Sequence, residues 1–215
     1  MVKYEIKNLK NKEFGKDIYI VANGHSANTS EIADKLNGKI VIGMNATPLL
    51  TEMYGLNIHY YTVSDERFLI DDDKYLIATE KVHKSTVRVF RQELIKHDAP
   101  GLIDGTYYVR AIGRDGFSFN LANGFYFGCT TTMLSIQLAA FLGAKNIYLL
   151  GVDLQYPRSK PRFYSEKKTS PIDNFTCVQI KNIREAYKQL KQHNIGLFNC
   201  SKNSLLRPYL PYSEI

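Results

Sequence analysis

Asp17-Ile18-Tyr19-Ile20-Val21-Ala22-Asn23-Gly24-His25-Ser26 is the stretch that decides the fold. Ile18 to Ala22 is an apolar, β-prone run, and Asn23-Gly24 breaks it. A short run of this kind fits a strand buried on both faces, as in a parallel sheet. Downstream, Thr29 or Ser30 can cap a helix reaching about Leu36, with Glu31 where a first-turn acid suits the helix dipole. Asn37-Gly38 ends that helix. Lys39 to Met44 is a second strand, ending at Asn45. Pro48 opens a short helix to Tyr54, and Asn57 to Val63 is a third strand that ends in Ser64-Asp65. Strand, helix, strand, helix, strand is the order of parallel units joined by right-handed crossovers.

The same grammar returns after residue 128. Thr130 to Leu142 has helical periodicity and stops at Gly143; Asn146 to Asp153 is the strongest strand of the chain. Val178 to His193 is an amphipathic helix and Ile195 to Asn199 a last short strand, with an extended tail from Ser201 to Ile215. Between these halves, Ser85 to Phe90 and Thr106 to Ile112 read as strands, and Asp71-Asp72-Asp73 reads as a solvated turn. The expected fold class is α/β: one Rossmann-like domain over residues 1–215, a mainly parallel sheet flanked by helices. Residues 68–127 are its irregular, acceptor-shaping part.

Composition narrows the class. A hydrophobic content of 44% with 23% charged residues is that of an ordinary globular chain. No apolar run reaches the ~18 residues of a membrane helix, and the Lys-rich Met1 to Gly15 lacks the apolar core of a signal peptide. Cys129, Cys177 and Cys200 are scattered and read as reduced thiols of a cytoplasmic protein. Neither metal nor cofactor is expected. The net charge of +7 favours anionic partners, and the densest basic stretch is Arg158 to Lys168. No nucleic-acid-binding motif accompanies it, so nucleic acid is not an expected partner.

Ligands of open α/β sheets sit at the carboxyl ends of the strands. Asn23, Asn45, Ser64-Asp65 and Asp153 all fall at such ends. The turn Asn23-Gly24-His25-Ser26 can aim backbone N–H groups at an anion, and Gly24 allows a close approach. It is neither Gly-x-Gly-x-x-Gly nor a P-loop, which disfavours nicotinamide, flavin and P-loop chemistry. Thr130, Thr131 and Thr132 open a helix with three hydroxyls, more than one cap needs. Tyr156 and Tyr164, with Arg158, Lys160 and Arg162, can stabilise a departing phosphate. His25 is the histidine best placed to act as a base. Asp153 can serve a ligand hydroxyl, a metal or the backbone. No Gly-x-Ser-x-Gly elbow is present, which argues against acyl-enzyme chemistry.

These motifs, in this order, resemble the bacterial lipooligosaccharide sialyltransferases. The residues that carry the resemblance are Ala22-Asn23-Gly24-His25-Ser26, Asn45, Thr130-Thr131-Thr132, Leu142-Gly143, Gly151-Val152-Asp153 and Asn203 to Leu206. The chain is also similar to proteins of the motility accessory factor type and to archaeal hydroxymethyl-dihydropterin pyrophosphokinases. The first resemblance implies a metal-independent glycosyltransferase that moves a nonulosonic acid from a CMP-activated donor to a glycan or lipooligosaccharide acceptor. It implies that Asn23 and Asn45 hold the nucleotide, and the reading of the turn and strand ends adds Gly24, Ser26, Ser64 and Asp65. Thr130 to Thr132 would meet the donor sugar and Tyr156 and Tyr164 the departing phosphate, while the base stays open among His25, Asp65 and Asp153. The implied setting is lipopolysaccharide biosynthesis, in the cytoplasm or at the inner face of the membrane with peripheral contact, as a homo-oligomer. The chain departs from the pattern in three places. Gln155 precedes Tyr156, no histidine lies between Asp173 and Gln179, and Gly128 stands where an arginine is expected. Two alternatives remain open: an ATP- and magnesium-dependent diphosphotransferase with Asp65 and Asp153 near the metal, and an inactive nucleotide-sugar-binding protein.

Overall fold

Buried on both faces, the opening run becomes the central strand. The computed structural model describes residues 4–97, 105–155, 162–164 and 173–215. In it, β1 (Asp17–Val21) sends Ile18 and Ile20 into one core and Tyr19 and Val21 into the other. The chain continues through α1 (Ile32–Lys35), β2 (Ile40–Met44), α2 (Pro48–Tyr54), β3 (Tyr60–Val63), α3 (Arg67–Ile70) and α4 (Asp72–Thr79). Then come β4 (Val87–Arg91), β5 (Thr106–Val109), β6 (Ala111–Gly113), β7 (Phe125–Tyr126) and α5 (Thr131–Phe141). The last elements are β8 (Asn146–Leu150), α6 (Thr176–Gln192) and β9 (Gly196–Asn199).

The main sheet has seven strands in the order β5-β4-β3-β2-β1-β8-β9, and every pairing in it is parallel. The chain lays strands outward from β1 to β5, then returns to place β8 on the other side of β1. The order therefore reverses between β1 and β8, and in a sheet of this kind a ligand crevice opens at that reversal. The helices cover both faces, and the expected Rossmann-like α/β architecture is the one observed. α5 and α6 close one core with Ile18, Ile20, Ile147 and Leu149. Residues of α1, α2, α3 and α4 close the other with Val21, Val41 and Val63.

α5 is buried at every residue from Thr131 to Phe141. A helix apolar on all sides must be enclosed, and here the chain around β6 and β7 supplies the outer cover. Gln137 fastens that cover. Its Oε1 accepts from Ser118 N and Tyr126 N, and its Nε2 donates to Tyr126 O.

Several expectations need correction. The first helix begins only at Ile32, because neither Thr29 nor Ser30 caps it and the Thr29 hydroxyl accepts from Glu31 N in the turn before it. Earlier still, His25 to Ala27 forms a 310 turn closed by Ala27 N on Gly24 O. The third strand starts at Tyr60, where its ladder with Ile42 starts. Asp71 to Asp73 is no solvated turn: the Asp71 carbonyl accepts from Lys74 N and Tyr75 N, and Asp72 and Asp73 occupy the first turn of α4. The run from Thr106 to Ile112 splits at Arg110, where the chain leaves the main sheet to pair with β7. β8 ends at Leu150, since Gly151 turns the chain at φ 67°. The tail after Ser201 is not extended. It folds in turns that bury Leu206 and Leu210 and returns to Asn199 through Asn199 N on Pro211 O.

Candidate functional site

At the reversal the turns after β1 and β8 are stitched together. Ala22 N donates to Leu150 O and Gly24 N to Gly151 O, both at 2.8 Å. Gly24 is needed for space, not for an unusual φ. A Cβ there would stand 2.5 Å from Asp153 Oδ2 and closer still to the Gly151 carbonyl oxygen. Asp153 closes the turn from the other side. Its Oδ2 accepts from Ser26 N at 3.0 Å and its Oδ1 accepts from Ser26 Oγ. Ser26 Oγ also meets Ser201 Oγ at 2.8 Å, which ties the C-terminal segment to the same knot. That segment is further held by Leu205 N on Asp153 O and Ser204 Oγ on Val152 O.

Around this seam lies an open cleft of ≈ 70 Å³ lined by Asn23, Gly24, Asn45, Thr130 to Thr132, Asp153 and Arg162. Asn23 uses its Oδ1 to accept from Ala46 N at 3.1 Å, which leaves its amide as the donor it offers to a ligand. Asn45 stands in the left-handed region at φ 52°, which asparagine tolerates better than most residues. Its carbonyl is pinned by Tyr61 Oη at 2.5 Å, and its Oδ1 accepts from Thr131 Oγ1 at 3.4 Å.

The three threonines divide their work. Thr130 is the N-cap of α5, and its Oγ1 accepts from Thr132 N at 3.2 Å. Thr131 bridges Asn45 and Ser64, whose Oγ lies 2.8 Å from Thr131 Oγ1. Thr132 contacts the Met44 sulfur at 3.8 Å. One hydroxyl thus serves the cap and the other two the wall between β2 and α5. The N-terminus of this eleven-residue helix faces the cleft and gives it a partial positive charge. Two residues in the left-handed region that are neither glycine nor asparagine border the site: Cys129 at φ 57° and Leu154 at φ 54°. Strain of this kind is held in place only where surrounding structure over-determines it.

Other sequence candidates lie elsewhere. Ser64 reaches the cleft through Thr131 and does not line it. Asp65 turns away to Arg67, which donates through Nε at 3.0 Å and Nη2 at 2.5 Å. Burial raises the Asp65 carboxyl, but the hydrogen bonds and charge of Arg67 outweigh it and leave it below the usual range. His25 is exposed, one residue beyond the lining, at the start of the 310 turn. Tyr164 packs on the second core beside Phe163 and Tyr61 rather than in the lining. Tyr156, Arg158 and Lys160 lie outside the described residues. Among the described residues, Arg162 is the cation of the basic loop found in the lining. Local pattern could name the loop but not which of its cations enters. Ser201 gave no sequence signal, because its partner is 175 residues away. Burial pushes the Cys129 thiol above its ordinary range, against the pull of Arg114.

The molecule is thus an α/β protein of the Rossmann-like kind, with its crevice at the β1–β8 reversal. Two solved glycosyltransferase structures share this fold. The motility accessory factor (MAf) glycosyltransferase from Magnetospirillum magneticum AMB-1 superposes with a TM-score of 0.62 at 13% identity, over 97% of this chain and 37% of that one. The sialyltransferase CstII from Campylobacter jejuni, solved in complex with a substrate analogue, cytidine-5'-monophosphate, gives 0.59 at 16% identity, over 93% of this chain and 85% of that one. The chain therefore spans just over a third of the first protein and most of the second. No family model matches the sequence, and no curated protein matches it.

Proposed function

We propose that the protein is a glycosyltransferase that takes a CMP-activated nonulosonic acid and passes the sugar to a glycan acceptor without a metal ion. The observation that carries this reading is the cleft at the β1–β8 reversal, where Asn23, Gly24, Asn45, the α5 N-terminus and Arg162 converge. The similarity to two glycosyltransferases, one solved with cytidine-5'-monophosphate, supports it.

In this reading the Asn23 amide and Asn45 hold the nucleotide, Gly24 and Ser26 fix the turn through Gly151 and Asp153, and Ser64 and Asp65 stand behind the wall. Thr130 to Thr132 and the helix end face the donor sugar. The acceptor hydroxyl attacks the anomeric carbon, and the bond to the phosphate oxygen breaks with its electron pair leaving on CMP. Arg162, with Tyr156, stabilises the departing phosphate by charge and hydrogen bonding, while Tyr164 stays packed on the second core. The acceptor proton passes to His25, an exposed imidazole at the mouth. Asp153 holds the turn instead of taking the proton, because both of its oxygens already accept from Ser26. The acceptor reading places the work at the inner face of the membrane, by peripheral contact, in a homo-oligomer; no helix among the described residues is long and apolar enough to cross a membrane.

A magnesium-dependent diphosphotransferase is less well supported, since Asp65 is engaged by Arg67 and Asp153 by Ser26. Calorimetry with CMP, and release of CMP from CMP-sialic acid with and without EDTA, test the proposal. CMP binding with EDTA-insensitive release supports it. Binding of ATP with magnesium, and not of CMP, overturns it.

A further inference from the structure

α6 has two unlike faces. Gln179, Asn182, Ile183, Ala186 and Leu190 are buried against the sheet and α5. On the outward stripe, Cys177, Lys181, Arg184 and Lys188 follow at helical spacing. With Ile180 and Tyr209 they line a groove of ≈ 410 Å³, the C-terminal segment forming its other bank. Arg184 lies over the Tyr209 ring at 5.6 Å, which holds the guanidinium in the groove. Among the described lining residues the acid is Glu185, 3.7 Å from Lys188, and Lys181 reaches Asp115 at 3.4 Å. Lys181, Arg184 and Lys188 therefore outnumber the acid in the lining.

The two elements that flank the groove are both anchored at the candidate site. At the top of α6, Gln179 Nε2 donates to the carbonyl of Cys129, the residue before the Thr130 cap. The other bank begins with Gln155 Nε2 on Asn203 O and Leu205 N on Asp153 O, and reaches Tyr209 four residues later. From Lys181 to Lys188 the cations span about 10 Å along the helix axis. A ligand lying in the groove can therefore carry its end to the mouth of the cleft.

We infer that this groove binds an anionic glycan, and that it is the acceptor track of the enzyme. The acceptor role rests on the glycosyltransferase reading; the binding does not. Positive charge selects an anionic chain, and concavity selects a chain over a lipid surface, which favours protruding apolar groups.

The test uses fluorescein-labelled dextran sulfate oligosaccharide, neutral dextran of equal length and phosphatidylglycerol vesicles, with CMP calorimetry on the same samples. The sulfated probe binds, more weakly as salt rises, and the neutral one does not. R184E/K188E lowers its affinity about tenfold, R184Q/K188Q lowers it less, and CMP binding is unchanged in both. K10E/K84E makes the same change in net charge at exposed sites elsewhere and leaves affinity within about twofold. Equal loss in the two charge-reversal variants, equal binding of neutral dextran, or groove-dependent binding of vesicles alone overturns the inference. Groove-dependent probe binding without CMP binding leaves the groove standing and removes the donor reading. CMP binding without probe binding does the reverse.

Discussion

Asp153, after β8, and Asp65, after β3, are both aspartates at strand ends, and the fold uses them in opposite ways. Asp153 reaches a residue 127 positions away in sequence and joins two turns at the reversal of strand order. Asp65 reaches Arg67, two positions along, and steadies only its own turn. The sheet edge alone therefore does not make a site. A polar strand end forms a cleft wall where the neighbouring strand comes from the other half of the chain, as β8 does for β1. Where neighbours follow in sequence order, Asp65 satisfies itself locally and Ser64 backs up the wall, while Asn45 enters the wall beside Thr131 of α5, 86 positions away in sequence.

Breaking the seam has the largest expected effect. Gly24→Ala drives a Cβ into the Gly151 carbonyl and the Asp153 carboxylate, neither of which can move without opening the turn. The expected loss is about 2–4 kcal/mol in urea unfolding, with loss of CMP binding. Gly38→Ala is the contrast: its φ is 69° but nothing lies within 4 Å of the new Cβ. Its cost is about 1 kcal/mol, from the left-handed backbone alone. Equal losses would mean that close approach is not what Gly24 provides.

Substituting the two aspartates sharpens the comparison directly. Asp153→Asn weakens the acceptor for Ser26 N and Ser26 Oγ, at about 1–2 kcal/mol, because hydrogen bonds to a charged group outweigh neutral ones. Asp65→Asn costs about 0.5 kcal/mol after allowance for solvent screening of the pair. CMP affinity falls in the first variant and holds in the second. Calorimetry and denaturation on both proteins check the order; a larger effect from Asp65 would reverse the assignment of the working wall. Thr131→Val removes the bridge between Asn45 and Ser64 while leaving the Thr130 cap intact. About 1 kcal/mol is expected, with a modest rise in the CMP dissociation constant.

The sequence was legible where its signals are local. Apolar runs ended by Asn23-Gly24, Asn45 and Ser64-Asp65 marked β1, β2 and β3 and their parallel order, and Pro48 marked the start of α2, which runs to Tyr54 as expected. The strand-end rule brought Asn23, Asn45 and Asp153, though not Ser64 or Asp65, to one cleft, and the helix N-terminus added Thr130 to Thr132. What stayed hidden depends on partners far along the chain. Gln137 looks like a polar interruption of an apolar helix until residues 118–126 fold over it. Ser201 looks like tail until Ser26 meets it. α4 escaped for another reason: its buried Lys74, Ile77 and Ala78 make a weak apolar stripe, and three acids before it mimic a turn.

The smallest effect concerns the far end of the sheet, where titration is coupled to folding rather than to ligand. His59, one residue before β3, accepts from Val41 N through Nδ1 at 3.3 Å, which requires the neutral ring. Burial lowers its affinity for a proton, and although Glu13 pulls the other way, the folded value stays below the ordinary one. The unfolded chain therefore takes up the proton first, at about pH 6.5. Between that pH and the lower folded value the unfolded state binds more protons, so stability falls as pH falls through this window and levels off beneath it. The contribution is under about 1 kcal/mol because the ring is only partly buried. His59→Asn keeps an acceptor near Val41 N without the titration. Thermal unfolding of the two proteins from pH 7.5 to 5.5, about one unit either side of that value, should give a steeper decline for the wild type. Parallel curves would remove His59 as the source and return the pH dependence to the carboxylates.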